Sequence, residues 1–192
     1  MKALEERILK EGRAIGNDIL KVDSFINHQL DIRFMEEIGK EMARLFSDVK
    51  VDKILTVEAS GIAIASVAAR YFDYPPVVFA KKSQPNTMND DCYTAEAKSF
   101  TKGNMCVYRV SKTYIKKGEN ILIVDDFMAS GEASVALAGI VESGGANVAG
   151  ITSVIEKEYQ GGSERLRKMG YLVRNLAVIK KIDSGVITFA EK

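Results

Sequence analysis

Residues 121–134 run Ile-Leu-Ile-Val-Asp-Asp-Phe-Met-Ala-Ser-Gly-Glu-Ala-Ser, in which four aliphatic residues meet two adjacent carboxylates and then a string of small side chains. The aliphatic run Ile121–Val124 predicts a strand buried on both faces, and residues 131–145 predict a helix closed by Gly144 and Gly145. A buried strand passing through small residues into a helix is the repeating unit of a parallel sheet. The acids require a separate account, because neighbouring carboxylates repel unless water, hydroxyl donors or a cation relieves them.

The same alternation continues on either side. Stretches 53–57 (KILTV), 75–80 (PPVVFA), 105–110 (MCVYRV) and 148–156 (VAGITSVIE) predict strands, and 171–179 predicts a last strand pair or a bend. Helical spacing predicts one helix over 2–15, through Leu4, Ile8, Leu9 and Ile15, and a second over 31–46, through Phe34, Ile38, Met42, Leu45 and Phe46. Residues 62–72 and 162–170 predict two more helices, and 116–120 a turn. Residues 81–104 are polar without a clear period, which fits a functional loop, a lid or a hairpin. Strands alternating with helices predict an α/β domain with a mostly parallel sheet flanked by helices.

At 192 residues the chain suits one domain with a sizeable core, and 46% apolar with 28% charged residues is ordinary globular composition. The 27 basic and 26 acidic residues nearly cancel, so no broad footprint for nucleic acid or anionic lipid is evident, while a local anion site remains compatible. Cys92 and Cys106 belong to no metal-type cluster and read as free thiols of a cytosolic protein. Residues 1–16 carry Glu5, Glu6 and Glu11 and lack the continuous apolar stretch of a secretory signal, and no apolar run has bilayer length. The expectation is a soluble, cytoplasmic protein without nucleic-acid or membrane partners.

In an open parallel sheet, ligands bind where the carboxyl ends of strands lead into helices. Two junctions have that character, Thr56–Gly61 and Asp125–Ser134, and neither carries the G-x-x-x-x-G-K-[ST] or G-x-G-x-x-G nucleotide fingerprint. Along 129–134 small side chains would let backbone N–H groups approach an anion. Ser130 and Ser134 add hydroxyls, and the next helix offers its positive end. A plain strand-to-helix turn fits the loop equally well, and Glu132 suits a phosphate cradle only with its side chain turned away. A ligand with vicinal hydroxyls beside a phosphate, such as a ribose 5-phosphate, accounts for acids and loop together.

The apolar strand, two acids, apolar pair and small-residue loop resemble the fingerprint of the type I phosphoribosyltransferases. That resemblance implies the type I fold with a small hood or N-terminal lobe, as one domain over 1–192. Residues 1–30 and 180–192 would contribute to a base-binding hood, and 83–104 would be a mobile loop. By the resemblance Asp125 and Asp126 hold the ribose hydroxyls of phosphoribosyl pyrophosphate (PRPP), while Ala129, Ser130, Gly131, Glu132, Ala133 and Ser134 cradle its 5′-phosphate. Glu58, Ala59, Ser60 and Gly61 look like the family's pyrophosphate loop, and Lys81 and Lys82 are placed to neutralise that leaving group. Tyr93 and Ser99, in a hairpin of the hood, would reach the substrate.

Residues 20–31 (LKVDSFINHQLD) and 154–162 (VIEKEYQGG) resemble more narrowly the bacterial, xanthine-using branch of the family. That likeness puts Leu20 and Asn27 at the purine and Lys157 at its 6-oxo group. An ammonium meets an oxo acceptor and repels adenine's amino group, an amide both donates and accepts, and Phe127 is placed to stack on the base. Without the resemblance, Leu20 reads as core, Asn27 as a cap or turn, Phe127 as strand packing and Lys157 as a solvated charge. His28, the one histidine, reads as structural or surface. The family further implies Mg²⁺ bound mainly through PRPP rather than by a metal cage of the protein, xanthine as the accepting base, and a homodimer. Guanine and hypoxanthine are the alternative bases. A PRPP-sensing regulator would instead need a winged-helix segment and a basic face.

Overall fold

The computed structural model describes residues 1–82, 91–98 and 105–191. The chain opens with helix α1 (Lys2–Glu11), a small hairpin of β1 (Arg13–Ile15) and β2 (Ile19–Lys21), a π-helical turn Asp23–Asn27, and helix α2 (Ile32–Leu45). The α/β alternation follows as β3 (Lys53–Val57), α3 (Ser60–Ala69), β4 (Val77–Ala80), a hairpin of β5 (Cys92–Lys98) and β6 (Met105–Ser111), β7 (Asn120–Met128), α4 (Glu132–Ser143) and β8 (Asn147–Lys157). Helix α5 (Gly162–Lys168) and strands β9 (Ala177–Asp183) and β10 (Val186–Phe189) complete the described chain.

Six strands form one sheet in the order β10-β9-β8-β7-β3-β4, parallel throughout except for β10. All of β3 and the last eight residues of β8 are buried, as strands covered on both faces must be. On one face Phe34, Ile38 and Met42 of α2 and Ile64 and Ala68 of α3 pack on Ile54, Leu122, Val124 and Val154. On the other, Leu137, Ile140 and Val141 of α4 pack on Leu55, Ile121, Ile123 and Ile151, with Tyr108 and Val110 of the hairpin beside them. From β3 the chain moves outward to β4, whereas from β7 it moves the opposite way through β8 to β9. The carboxyl ends of β3 and β7 therefore flank a switch point, where an open α/β sheet leaves a crevice.

Several expectations are corrected. The first helix stops at Glu11 rather than near 15. Ile15 pairs across the small hairpin with Ile19, and both are exposed, so a spacing that mimics a helix belongs to a strand. Of the readings for the polar stretch the hairpin holds, with β6 as the partner: β5 pairs antiparallel with it, and its Tyr93, Ala95 and Ala97 pack on the second core while Thr94 and Glu96 face solvent, a short alternation masked by polar composition. Residues 171–176 form no strand; they run beside β8, bridging from Val173 to Ile151 and bonding to Ser153 through the Leu176 amide and the Asn175 side chain, before β9 begins. Strand β10, Val-Ile-Thr-Phe, follows a turn at Ser184 and Gly185 that the sequence reading left without a strand after it; it pairs with β9, so residues 186–189 extend the main sheet. The turn before it touches the small hairpin, where Ser184 N–H donates to Asn17 Oδ1 at 3.3 Å.

Phe46, just beyond α2, shows how the first core is closed. It is 1% exposed, a Cβ on Gly150 would lie 2.4 Å from its Cε1, and the Arg174 guanidinium stands 5.4 Å above its ring. Arg174 also reaches the Leu45 carbonyl and both oxygens of Asp48, holding that carboxyl down to about 2. Phe46→Ala empties this space and is expected to cost about 3–5 kcal/mol in urea denaturation, with an unchanged slope.

Candidate active site

A cavity of about 680 Å³ opens at the carboxyl ends of β3, β7 and β8. Its floor is the loop and helix start 129–134, one wall is Val57 with the acid pair, and the other walls come from the N-terminal lobe, Lys157 and the β5–β6 hairpin. The acids are not at a turn. Parallel pairing of β7 with β8 continues to Met128 opposite Glu156, so Asp125 and Asp126 are strand residues. Asp125 is 7% exposed, and burial first, then the adjacent charge of Asp126, pushes its carboxyl well above the usual carboxylate range, with Lys82 opposing. Asp126 is less buried. Its Oδ1 accepts from Phe127 N–H at 2.9 Å, and its Oδ2 accepts from Asn27 Nδ2 at 2.6 Å.

The small-residue loop owes its shape to two glycines that approach each other. Gly131 has φ +79°, in the left-handed region, and a Cβ there would come within 3.2 Å of Gly162. Gly162 N–H donates to the Ala129 carbonyl at 3.0 Å, and a Cβ on Gly162 would stand 2.3 Å from that same oxygen. The first bond within α4 runs from Val135 N–H to the Gly131 carbonyl. The first-turn amides, which no helix satisfies internally, belong to residues that line the cavity, beside the helix's positive end. Glu132 is accounted for by an ion pair with Arg165 of α5, so its charge is met beside the loop.

Leu20, Asn27, Phe127 and Lys157 all line the same cavity. Leu20 is buried. Asn27 bridges Asp126 and Ser60, its Nδ2 lying 3.1 Å from Ser60 Oγ. Lys157 is buried, stands 5.5 Å over the Phe127 ring and donates to the Asp18 carbonyl. Burial lowers its pKa and the charge of Asp18 partly opposes this.

Of the proposed pyrophosphate set, Lys82 lines the cavity while Lys81 does not. Lys81 is occupied in a two-way backbone bridge with Arg109 that fastens β4 to the hairpin. Glu58, Ala59, Ser60 and Gly61 lie next to the lining residue Val57 and are not lining residues themselves. Glu58 Oε1 accepts from the Lys82 amide at 2.6 Å, and Ser60 joins the acids through Asn27. Tyr93 is placed differently from the expectation: it packs near Gly144 and Ile115 at the far end of α4, away from the cavity. Ser99 lies outside the described residues.

Met105, Cys106 and Tyr108 also line the cavity, and the sequence offered only their period-2 strand as a signal. Tyr108 is 5% exposed, and burial pushes its phenol to about 12, with smaller effects from Cys106 and Asp125. Among the described residues no three His, Cys, Asp or Glu side chains gather as metal ligands, and no helix is long and apolar enough to cross a membrane.

Comparison with known proteins gives concordant matches. A family model described as a phosphoribosyl transferase domain matches residues 28–189. The xanthine phosphoribosyltransferase of Clostridioides difficile is 52% identical over 189 residues, 98% of this chain and 100% of that protein. The protein of the same name from Ruminiclostridium cellulolyticum is 49% identical over 191 residues, covering 100% of both chains. Among solved structures, adenine phosphoribosyltransferase from Giardia lamblia aligns with TM-score 0.77 at 15% identity, over 91% of this chain and 96% of that one. The enzyme of that name from Thermoanaerobacter pseudethanolicus aligns with TM-score 0.73 at 23% identity, over 91% and 98% respectively. At such identities the two structures bear on the fold alone.

Two outcomes follow from the site's physics. Asp125→Asn keeps an acceptor for the Asp126 amide and replaces a carboxyl that burial disfavours in its charged form by a group that does not ionise. A carboxyl whose folded pKa is raised costs stability increasingly as pH rises above about 3.8, where the unfolded chain ionises first, and the cost vanishes below that, where both states are protonated. Thermal unfolding near pH 7 is therefore expected to rise by several degrees, at about 2–4 °C per kcal/mol for this size, with no gain near pH 3. Gly162→Ala should force the loop at 129–131 to move, read as a displaced Ala129 carbonyl in a crystal structure and lost stability of about 1–3 kcal/mol.

Proposed function

The chain belongs to the phosphoribosyl transferase domain family, and from that membership we propose that it transfers the 5-phosphoribosyl group of PRPP to N9 of xanthine, releasing pyrophosphate and xanthosine 5′-monophosphate. Full-length relatives at 52% and 49% identity carry the name of that activity. The observation that carries the choice of base is Lys157, whose ammonium sits over Phe127 in the cavity that also holds the acid pair and the anion loop.

In this proposal the amides of 129–134 and the positive end of α4 receive the 5′-phosphate. Asp125 and Asp126 face the ribose hydroxyls. Mg²⁺ arrives with PRPP as part of the substrate. Two adjacent carboxylates, with no cluster of three such ligands among the described residues, suit an ion that keeps its water and substrate oxygens. Lys82, with the amides of 58–61, meets the pyrophosphate. Breaking the anomeric C–O bond leaves oxocarbenium character on the ribose, which carboxylates beside the ring stabilise, while the bond's electron pair leaves with pyrophosphate. N9 of the purine then forms the new C–N bond and its proton passes to solvent. Lys157 donates to the 6-oxo group, Asn27 meets the edge of the ring, Leu20 and Phe127 cover its faces, and positioning supplies most of the rate. We place the protein in the cytoplasm as a homodimer, which sedimentation of the purified chain tests.

Purified protein with PRPP and Mg²⁺ is expected to turn over xanthine ahead of guanine and hypoxanthine, and adenine least. No turnover with any base, or a preference for adenine, overturns the proposal. Asp126→Asn is expected to lower kcat by about 100-fold or more with the fold intact by circular dichroism. Lys157→Met should raise the KM for xanthine by about 10- to 100-fold, the worth of a charged hydrogen bond, and leave the KM for PRPP within about twofold.

A further inference from the structure

Asn27 reaches the acid pair from a short turn whose local bonds set its shape but not its position against α1 and α2. Residues Asp23–Asn27 form a single π-helical turn, held by Phe25 and Ile26 N–H to the Val22 carbonyl at 3.3 and 3.1 Å, by His28 and Gln29 N–H to the Asp23 carbonyl at 3.3 and 2.7 Å, and by Gln29 Nε2 to the Ser24 carbonyl at 3.0 Å. Val22, Phe25 and Ile26 are buried, which keeps the turn in the core, but hydrophobic burial is not directional and does not set where Asn27 points.

A directional anchor comes from α1. The Arg7 guanidinium lies 5.1 Å from the Phe25 ring centroid and 4.8 Å from that of Phe34, two rings that themselves meet edge to face at 5.7 Å and 81°. Its Nη1 donates to Asp31 Oδ2 at 2.7 Å, and its Nε stands 3.0 Å from Glu11 Oε1. Asp31 in turn caps α2 through Phe34 N–H, and its own amide donates to the Phe25 carbonyl at 3.2 Å. One planar cation thus joins α1, the turn and the start of α2. Two residues after Phe25, Asn27 Nδ2 sits between Asp126 and Ser60.

We propose that Arg7 is a positioning residue for the purine subsite: by clamping Phe25 between α1 and α2 it fixes the turn that presents Asn27. The inference rests on the reading of this cavity as a phosphoribosyl transfer site. Lysine cannot replace it, because a point charge on a flexible stem neither stacks on two rings nor forks to a carboxylate.

Arg7→Lys is measured alone and in an Asn27→Ala background. Alone, it is expected to raise the KM for xanthine by about tenfold, with kcat and the KM for PRPP within about twofold, and to speed amide exchange over 23–29 while β7 stays protected. In the Asn27→Ala background the same change should move the xanthine KM by less than about twofold, since the group it positions is gone. An undiminished effect in that background, a parallel rise in both KM values, or wild-type exchange over 23–29 overturns the proposal. Should Arg7→Lys fail to fold, Phe34→Leu removes one ring and leaves both ion pairs; it must show the same split, and an unchanged xanthine KM counts against Arg7. Absence of xanthine turnover in the unmodified protein would fall on the activity instead, and the exchange measurement would still decide whether Arg7 fixes the turn.

Discussion

Parallel pairing of β7 with β8 to the level of Met128 is the constraint on which the rest depends. Had the strand ended at Val124, the acids would stand in a solvated turn with nearly ordinary behaviour. Because the ladder continues, Asp125 is driven into the protein and Asp126 is brought within reach of the N-terminal lobe. The same pairing fixes where the chain leaves the sheet, so Gly131 and the first turn of α4 fall directly beyond the acids. Acid pair and small-residue loop are thus one continuous extension of the sheet, placed by the same ladder.

The support for that extension is polar and lies one layer out. Asn175 donates to Glu156 at 2.7 Å and to Ser163 at 2.9 Å, and accepts from Ser153 N–H at 2.8 Å and Ser153 Oγ at 3.0 Å. This satisfies a carboxylate that is only 4% exposed. A buried polar network of this kind is stabilising only while every member is satisfied. Here it secures the start of α5, and Gly162 at that start holds the Ala129 carbonyl. The Arg165–Glu132 pair ties the same two helices on their outer side. The loop is thereby braced by a helix from the next β-α-β unit.

Much of the architecture was legible because buried parallel strands are near-continuous aliphatic runs, and 53–57, 121–124 and 148–156 announce themselves in that way. The acids and the loop were legible as a pattern, although their place within a strand was not, since charge ordinarily signals a strand's end. Glu132 could not be explained from local sequence because its partner, Arg165, is 33 positions away. Similar distance hides Gly162, whose requirement for the smallest side chain comes from the backbone of 129–131. Edge elements were the least legible. β1, β2 and β10 are short, and β5 hides its alternation among polar residues, so partners rather than composition define them. Tyr108 and Cys106 lie on a strand that was legible, but which of its faces meets the cavity depends on how the hairpin folds over the sheet.

The buried Asp125 carboxyl has a thermodynamic consequence beyond its contacts. Burial favours its neutral form, whereas a cation or a cluster of hydroxyl donors brought beside it favours the charged form. A ligand that brought such groups to this position would therefore work against the burial of Asp125, drawing its carboxyl towards the charged form that the strand disfavours.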